Sequence, residues 1–327
     1  MADKQTKLVV GAGSALIDIL INGTDDFLEK IGAAKGGMKL IDDSVIEKAL
    51  AMHGSDLSIV PGGSACNTVT GIGKLGGAAR FIGKCGNDEM GDIFKAGLKK
   101  NNVEPALITS SSPTGRVLSI ITPDAQRSML TCLGASSEAD PREMTPNLFE
   151  NAAIVHLEGY LMFNPELIQS VLEQATAAGA RISLDLASFT IIDENFDRLH
   201  KIVDDYVDIL IANEDEARAF TGSSDESEAM KILGQKADIA VLKIGERGSV
   251  ISHYEKIVSI EPAGHGGVVD TTGAGDLWAA GFLYGLVNGL PIETCGAIGS
   301  RCGFEVCKVV GASIPDDRWE KIRELII

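Results

Sequence analysis

Short apolar runs recur along the chain at residues 8–10, 153–157, 181–186, 209–212, 239–244 and 250–252, and each reads as a β-strand. Between several of them, as at 165–178 and 214–220, apolar residues return every three or four positions, the spacing of a helix with one buried face. Strands that alternate with helices in this way build a mostly parallel sheet covered by helices, so the pattern predicts an α/β fold.

Two stretches break the alternation, at about 18–41 and 115–133. Residues 19–21, 117–121 and 128–132 are strand-like with turn residues between them, and Pro123-Asp124 joins the last two as a hairpin. The expectation is a small antiparallel sheet standing off the main one, placed to close over a cleft. No repeat, low-complexity tract or Pro/Ser-rich linker interrupts the chain, so 1–327 reads as one domain carrying that lid. The acidic stretch 223–228 reads as a solvated loop.

Composition narrows the chemistry. With 45% hydrophobic residues and 37 glycines, the chain can bury a large core and make many tight turns. Its 29 Lys and Arg against 46 Asp and Glu give a formal net charge of −17, which repels nucleic-acid phosphates and anionic membranes. The partner expected is therefore a small molecule, and an anionic one must be met by local dipoles, a divalent cation or a few placed bases. Six cysteines without a Cys-x-x-Cys pair read as reduced thiols, and the five histidines do not cluster as metal ligands. The first apolar run is too short for a signal or membrane segment, so cytoplasm is the expected location.

The sharpest chemical signal is Val268-Val-Asp-Thr-Thr-Gly-Ala-Gly-Asp276, followed by an apolar helix that stops at Gly289 and Pro291. A helix beginning among Gly273, Ala274 and Gly275 presents free N–H groups to an anion. Asp276 beside them is held ionised by the helix N-terminus and can take a proton from an attacking hydroxyl, or it merely complements the dipole. A second signal is Pro61-Gly-Gly-Ser-Ala-Cys-Asn67. Gly62 and Gly63 let backbone approach a ligand, while Asn67 offers both donor and acceptor to a polyol.

Gly62-Gly63-x-x-x-Asn67 early and Asp270-Thr-x-Gly-Ala-Gly-Asp276 late, with Asn213-Glu-Asp-Glu216 and Lys243-Ile-Gly-Glu-Arg-Gly248 between them, resemble the signatures of the ribokinase-like, or PfkB, family of sugar and nucleoside kinases. The resemblance spans nearly the whole chain and implies a three-layer αβα sandwich with a small β-sheet lid. It implies transfer of the γ-phosphoryl group of ATP to a hydroxyl, with Mg2+ and in some members K+. It further implies that Asp18 holds two substrate hydroxyls beside Gly62, Gly63 and Asn67, and that Gly273, Ala274 and Gly275 form the anion hole with Asp276 as base. Asn213 and Glu216 would organise magnesium and phosphates, Lys243, Gly245 and Gly248 the nucleotide, and Asp270 and Thr272 a monovalent cation.

Within the family, residues 36–42, Ser112-Pro-Thr-Gly115, 125–130 and 206–214 look most like adenosine kinases, which also implies that Arg127 swings toward the transferring phosphate. Leu16, Leu40, Leu133, Tyr160 and Phe163 offer apolar cover for a flat base, with lid or interface packing as the alternative. Glu158 departs from the eukaryotic adenosine kinase pattern and resembles sugar-kinase members in which an acid binds a hydroxyl; pairing with Arg116 is its alternative. Ribokinase-like or fructokinase-like activity, and a ligand-binding protein without catalysis, are the other readings. Val10-Gly-Ala-Gly-Ser-Ala-Leu16 fails as a dinucleotide fingerprint at Leu16, and no P-loop sequence occurs. Strand edges in the lid leave monomer and lid-paired homodimer both open.

Overall fold

Successive side chains of a strand point to opposite faces. In the first strand, β1 (Leu8–Ala12), both faces are buried, with Val9 in one apolar core and Val10 in another. A strand covered on both faces belongs in the middle of a helix-sandwiched sheet. The computed structural model, which describes residues 7–54, 57–124, 126–254, 256–324 and 326, has that architecture.

The chain continues through β2 (Leu16–Asn22), α1 (Asp25–Ile31), β3 (Met38–Leu40), α2 (Asp43–His53), β4 (Ser58–Gly62), α3 (Ser64–Lys74), β5 (Ala79–Gly86), α4 (Glu89–Lys100) and β6 (Val103–Ser110). Next come β7 (Gly115–Ile121), β8 (Arg127–Cys132), β9 (Ala152–Glu158), α5 (Pro165–Ala177), β10 (Arg181–Asp185), α6 (Phe189–Tyr206), β11 (Ile209–Asn213) and α7 (Glu214–Thr221). The last elements are α8 (Glu226–Gly234), β12 (Ile239–Lys243), β13 (Ser249–His253), β14 (Lys256–Ile260), α9 (Ala274–Val287), α10 (Ile292–Val306) and α11 (Asp316–Glu324).

The main sheet has the order β14-β13-β12-β11-β10-β9-β1-β5-β6, parallel from β12 to β6 and antiparallel along its β13–β14 edge. Helices α3, α4, α9, α10 and α11 fill the core that contains Val9, and α5 to α8 fill the other. The chain moves from β1 toward β6, then returns to β9 and proceeds the other way, so strand order reverses between β1 and β9. Parallel α/β sheets place ligands at the carboxyl ends of strands at such a reversal. Helix α9 runs along this core pressed against its neighbours: a Cβ on Gly281 would stand 2.7 Å from Ile298 O, and one on Gly71 2.6 Å from Ala280 Cβ. Those close approaches fix where the N-terminus of α9 points.

The second sheet, β3-β8-β7-β2-β4, is mixed rather than antiparallel as expected. β2–β7 and β3–β8 are parallel, while β2–β4 and β7–β8 are antiparallel. β2 and β7 follow directly on β1 and β6, two strands that run the same way, and they keep that direction. β4 lies outside the two stretches singled out by sequence, because Pro61 and Gly62 mask a strand that sits at a sheet edge. The acidic stretch 223–228 is a helix start instead of a plain loop: Asp225 caps α8 by accepting from the Glu228 N–H at 2.8 Å. Among the described residues no helix is long and apolar enough to cross a membrane.

One buried group in the sheet carries a pH prediction. His156 in β9 meets Ser183 Oγ at 3.0 Å through Nδ1, while its Nε2 is buried without a partner among the described residues. Burial holds its pKa at about 4, below the ordinary 6.5. The unfolded chain therefore binds a proton at pH 5 that the folded one refuses, and this contribution to stability is lost as pH falls from 6.5 toward 4. The carboxyls of Asp18, Glu158, Glu216 and Asp276, whose values desolvation raises, act with the opposite sign. Urea titrations of wild type against His156→Gln isolate the histidine. Wild type should lose roughly 3 kcal/mol more across that window, and parallel pH dependences would contradict the assignment.

Candidate active site

The carboxyl ends of β1, β9, β10, β11 and β12 and the first turns of α3 and α9 surround a cavity of about 750 Å3, roofed by β2, β3 and β8 of the second sheet. Most of the residues singled out in the sequence line it: Asp18, Gly63, Asn67, Arg127, Glu158, Asn213, Glu216, Lys243, Thr272, Gly273, Gly275 and Asp276. Strand ends and helix starts bring them together from distant parts of the chain.

At the base lies Asp276, in the first turn of α9. Gly273 caps that helix with φ 72°, a left-handed conformation suited to glycine. Asp276 Oδ1 accepts from Ser64 Oγ at 2.7 Å and Oδ2 from Asn67 Nδ2 at 2.9 Å, while Thr68 Oγ1 donates to the Asp276 carbonyl at 3.1 Å. Three residues of α3 thus fix one residue of α9. Burial raises the Asp276 pKa against the lowering effect of Asn67 and Ser64. Desolvation therefore acts on this carboxylate against the helix N-terminus that was expected to hold it ionised. The Ala274 N–H donates to Thr271 O at 3.1 Å, and Gly275 and Asp276, the next residues of the first turn, line the cavity.

Asp18 projects from β2 beneath the second sheet. Burial raises its pKa to about 6, with Arg127 opposing the rise and Asp276 adding to it. A Cβ on Gly62 would collide with the Asp18 carboxylate, and one on Gly63, at φ 97°, with Ser14 O. The glycine pair therefore lets backbone approach Asp18 and Ser14, and Gly62 does not line the cavity. Arg127 donates to Ser119 Oγ at 3.2 Å and to Thr272 Oγ1, bridging the second sheet to the loop before α9. In that loop Asp270 accepts from the Thr272 N–H at 3.0 Å, the Thr272 hydroxyl at 2.7 Å and the Gly311 N–H at 2.8 Å.

Glu158 lines the cavity and does not pair with Arg116. Its Oε1 accepts from the Ser14 N–H at 2.8 Å and its Oε2 from the Ala65 N–H at 2.9 Å, tying the β1–β2 turn to the start of α3. Arg116 pairs instead with Asp43 at 3.0 Å and with Glu47. Asn213 and Glu216 form a capping box, with the Asn213 N–H on Glu216 Oε2 at 2.8 Å and the Glu216 N–H on Asn213 Oδ1 at 2.9 Å. Burial, then Asp185, push the Glu216 pKa upward.

Lys243 ends β12 and pairs with Asp185, at the end of β10, at 2.8 Å. Burial opposes its charge, but Asp185 and Glu216 outweigh burial and hold the ammonium above the ordinary lysine value. Gly245 and Gly248 do not line the cavity. Both have positive φ, and Gly248 packs where a Cβ would strike Ile260 O, so they shape the β12–β13 turn. Sequence reasoning missed Ser64 and Asp185, although Asp185 is an acid closing an apolar run at a strand's carboxyl end.

Leu16, Leu40, Leu133, Tyr160 and Phe163 all line the cavity, joined by Met38, Val117 and Met129. Leu40 and Phe163 are each 51% exposed, so the apolar side of the cavity is open at its mouth.

A carboxylate held by two donors in the first turn of a helix and a nearby, largely buried cation, all at a strand-order reversal, define a group-transfer site for an anionic donor. The fold is ribokinase-like. Residues 25–319 match the description "pfkB family carbohydrate kinase", and the chain belongs to that family and is a phosphotransferase. Adenosine kinase of Saccharomyces cerevisiae is 25% identical over 96% of this chain and 98% of its own. The 5-dehydro-2-deoxygluconokinase of Bacillus subtilis is 28% identical over 81% and 86%. The structure of a probable sugar kinase from Rhizobium etli superposes with a TM-score of 0.89 at 31% identity, covering 98% of both chains. That of adenosine kinase from Sinorhizobium meliloti gives 0.88 at 30%, covering 98% and 99%.

Proposed function

We propose that this kinase transfers the γ-phosphoryl group of ATP to a primary hydroxyl of a nucleoside such as adenosine. The observation that carries the acceptor class is the apolar wall of Leu16, Leu40, Leu133, Tyr160 and Phe163 in the same cavity as Asp18 and Asp276. A free sugar has no use for that wall; a base stacks on it while its ribose reaches the acids. Likeness to adenosine kinases over nearly the full chain supports the same reading.

In this reading Asp18 accepts two ribose hydroxyls, Asn67 and Ser64 orient Asp276, and Asp276 takes the proton of the attacking hydroxyl. The N–H groups of Gly275 and Asp276 receive charge that builds on the phosphoryl oxygens, and Arg127 closes over them from the second sheet. Among the described residues no group of three or more His, Cys, Asp or Glu is placed to hold a metal. Magnesium fits here as an ion carried largely by nucleotide phosphates, with Glu216 facing its side of the cavity; it would neutralise phosphate charge.

Sugar phosphorylation is the second reading, favoured by the likeness to the Rhizobium etli and Bacillus subtilis proteins. The residue that pointed to it, Glu158, lines the cavity, and each of its oxygens already accepts one backbone N–H. ADP release with ATP, magnesium and a panel of adenosine, other nucleosides, ribose and fructose tests the choice. Turnover confined to the nucleosides is expected; turnover confined to the sugars would move the chain to the second reading.

A further inference from the structure

Two positive ends meet beside Asp276. The N-terminus of α9 carries the positive end of its helix dipole, and a Cβ on Gly275 would stand 2.9 Å from Lys243 Nζ. The Lys243 and Asp185 side chains are only 14% and 7% exposed, so the pair lies largely inside the protein. Asp185 Oδ2 supplies its counter-charge at 2.8 Å, while Oδ1 is pinned by the Ala187 N–H at 3.0 Å. An ammonium has three donors, and one goes to Asp185. Both side chains and Gly275 line the cavity. An ion pair of this kind is weak evidence for stability, since apolar side chains of similar size hold such a site at least as well.

We infer that Lys243 is a catalytic residue: its ammonium exchanges Asp185 for the oxygens of the transferring phosphoryl group and holds that group against the first turn of α9. The inference rests on the phosphotransferase assignment and is independent of the acceptor. In the step, the bond from γ-phosphorus to the bridging oxygen breaks and its electron pair leaves with ADP. A bond from γ-phosphorus to the acceptor oxygen forms, and the acceptor proton passes to Asp276. Lys243 keeps its proton throughout. A compact cation on a flexible stem suits this movement, and in a site shielded from water its charge acts more strongly than at the surface.

The test uses the full chain with magnesium. Turnover is read as ADP release with the best acceptor of the panel, and binding by calorimetry with ADP and with adenylyl imidodiphosphate. Lys243→Met should lower kcat on the order of 100- to 1,000-fold, the cost of removing one preorganised donor, with little change in acceptor KM. It should weaken the imidodiphosphate more than ADP. The double variant Asp185→Asn/Lys243→Met removes both buried charges and carries the test if the single variant fails to fold. It should remain as slow as Lys243→Met. A double variant that regains wild-type turnover would show that Lys243 only neutralises Asp185 and would overturn the proposal, as would a folded Lys243→Met with wild-type kcat. Wild type that binds neither nucleotide would instead bring down the phosphotransferase assignment, and this inference with it.

Discussion

Asp276→Asn should slow phosphoryl transfer by about 100- to 10,000-fold, the range for loss of a positioned general base, while nucleotide affinity and melting temperature stay near wild type. The carboxylate accepts from Ser64 Oγ and from Asn67 Nδ2. An asparagine keeps Oδ1 for the Asn67 amide and turns its own amide toward Ser64, whose hydroxyl can accept as well as donate. Geometry is retained and basicity is lost. The charge that burial disfavours is also removed, so the variant should melt no lower than wild type. In the wild type the acid limb of kcat/KM should lie above the ordinary carboxylate range, because the Asp276 pKa is raised and the base is protonated as pH falls through it. Equal turnover by both proteins would remove Asp276 from the chemistry.

Asp18→Asn should act on the acceptor instead. Asp18 is a buried acid facing the cavity, with a pKa raised to about 6. As a carboxylate it can accept from two hydroxyls; as asparagine it keeps one acceptor and sets a donor against the other hydroxyl. Hydrogen bonds to charged groups are worth about 1.5–3 kcal/mol each, so kcat/KM for the acceptor should drop about 100-fold, mostly through KM, with the KM for ATP little moved. In the wild type the acceptor KM should rise as pH falls through about 6, where Asp18 takes up a proton and one of its two accepting oxygens becomes a donor. Asp18→Asn should lack that rise. Initial-rate kinetics at several pH values check both statements, and an unchanged acceptor KM would place the substrate hydroxyls elsewhere.

The sheet and its helices were legible because burial on both faces leaves an unbroken apolar run, and 153–157 and 209–212 stand in the structure as β9 and β11. Edge elements were harder to see. β4 carries Pro61 and Gly62, and the parallel pairing of β2 with β7 depends on the direction of β1 and β6, which no local pattern encodes. The site was legible where a backbone requirement leaves a mark, as at Gly273 and Gly63 with positive φ. It was misjudged where partners come from far along the chain. Glu158 is bound by Ser14 and Ala65, 144 and 93 residues away, rather than by Arg116, and desolvation raises the Asp276 pKa, which its helical position does not reveal. Asp185 acquires its meaning only beside Lys243, 58 residues later.

The acceptor class is the centre of this account, and a competition measures it most directly. Adenosine, ribose and fructose are supplied together at equal concentration with ATP and magnesium, and the phosphorylated products are separated and quantified by mass spectrometry. Such a mixture reports the ratio of kcat/KM values in one reaction. The apolar residues Leu40, Leu133, Tyr160 and Phe163 in the same cavity as Asp18 and Asp276 predict that adenosine monophosphate dominates from the first time point. A mixture in which ribose or fructose phosphate accumulates while adenosine is untouched would contradict the account.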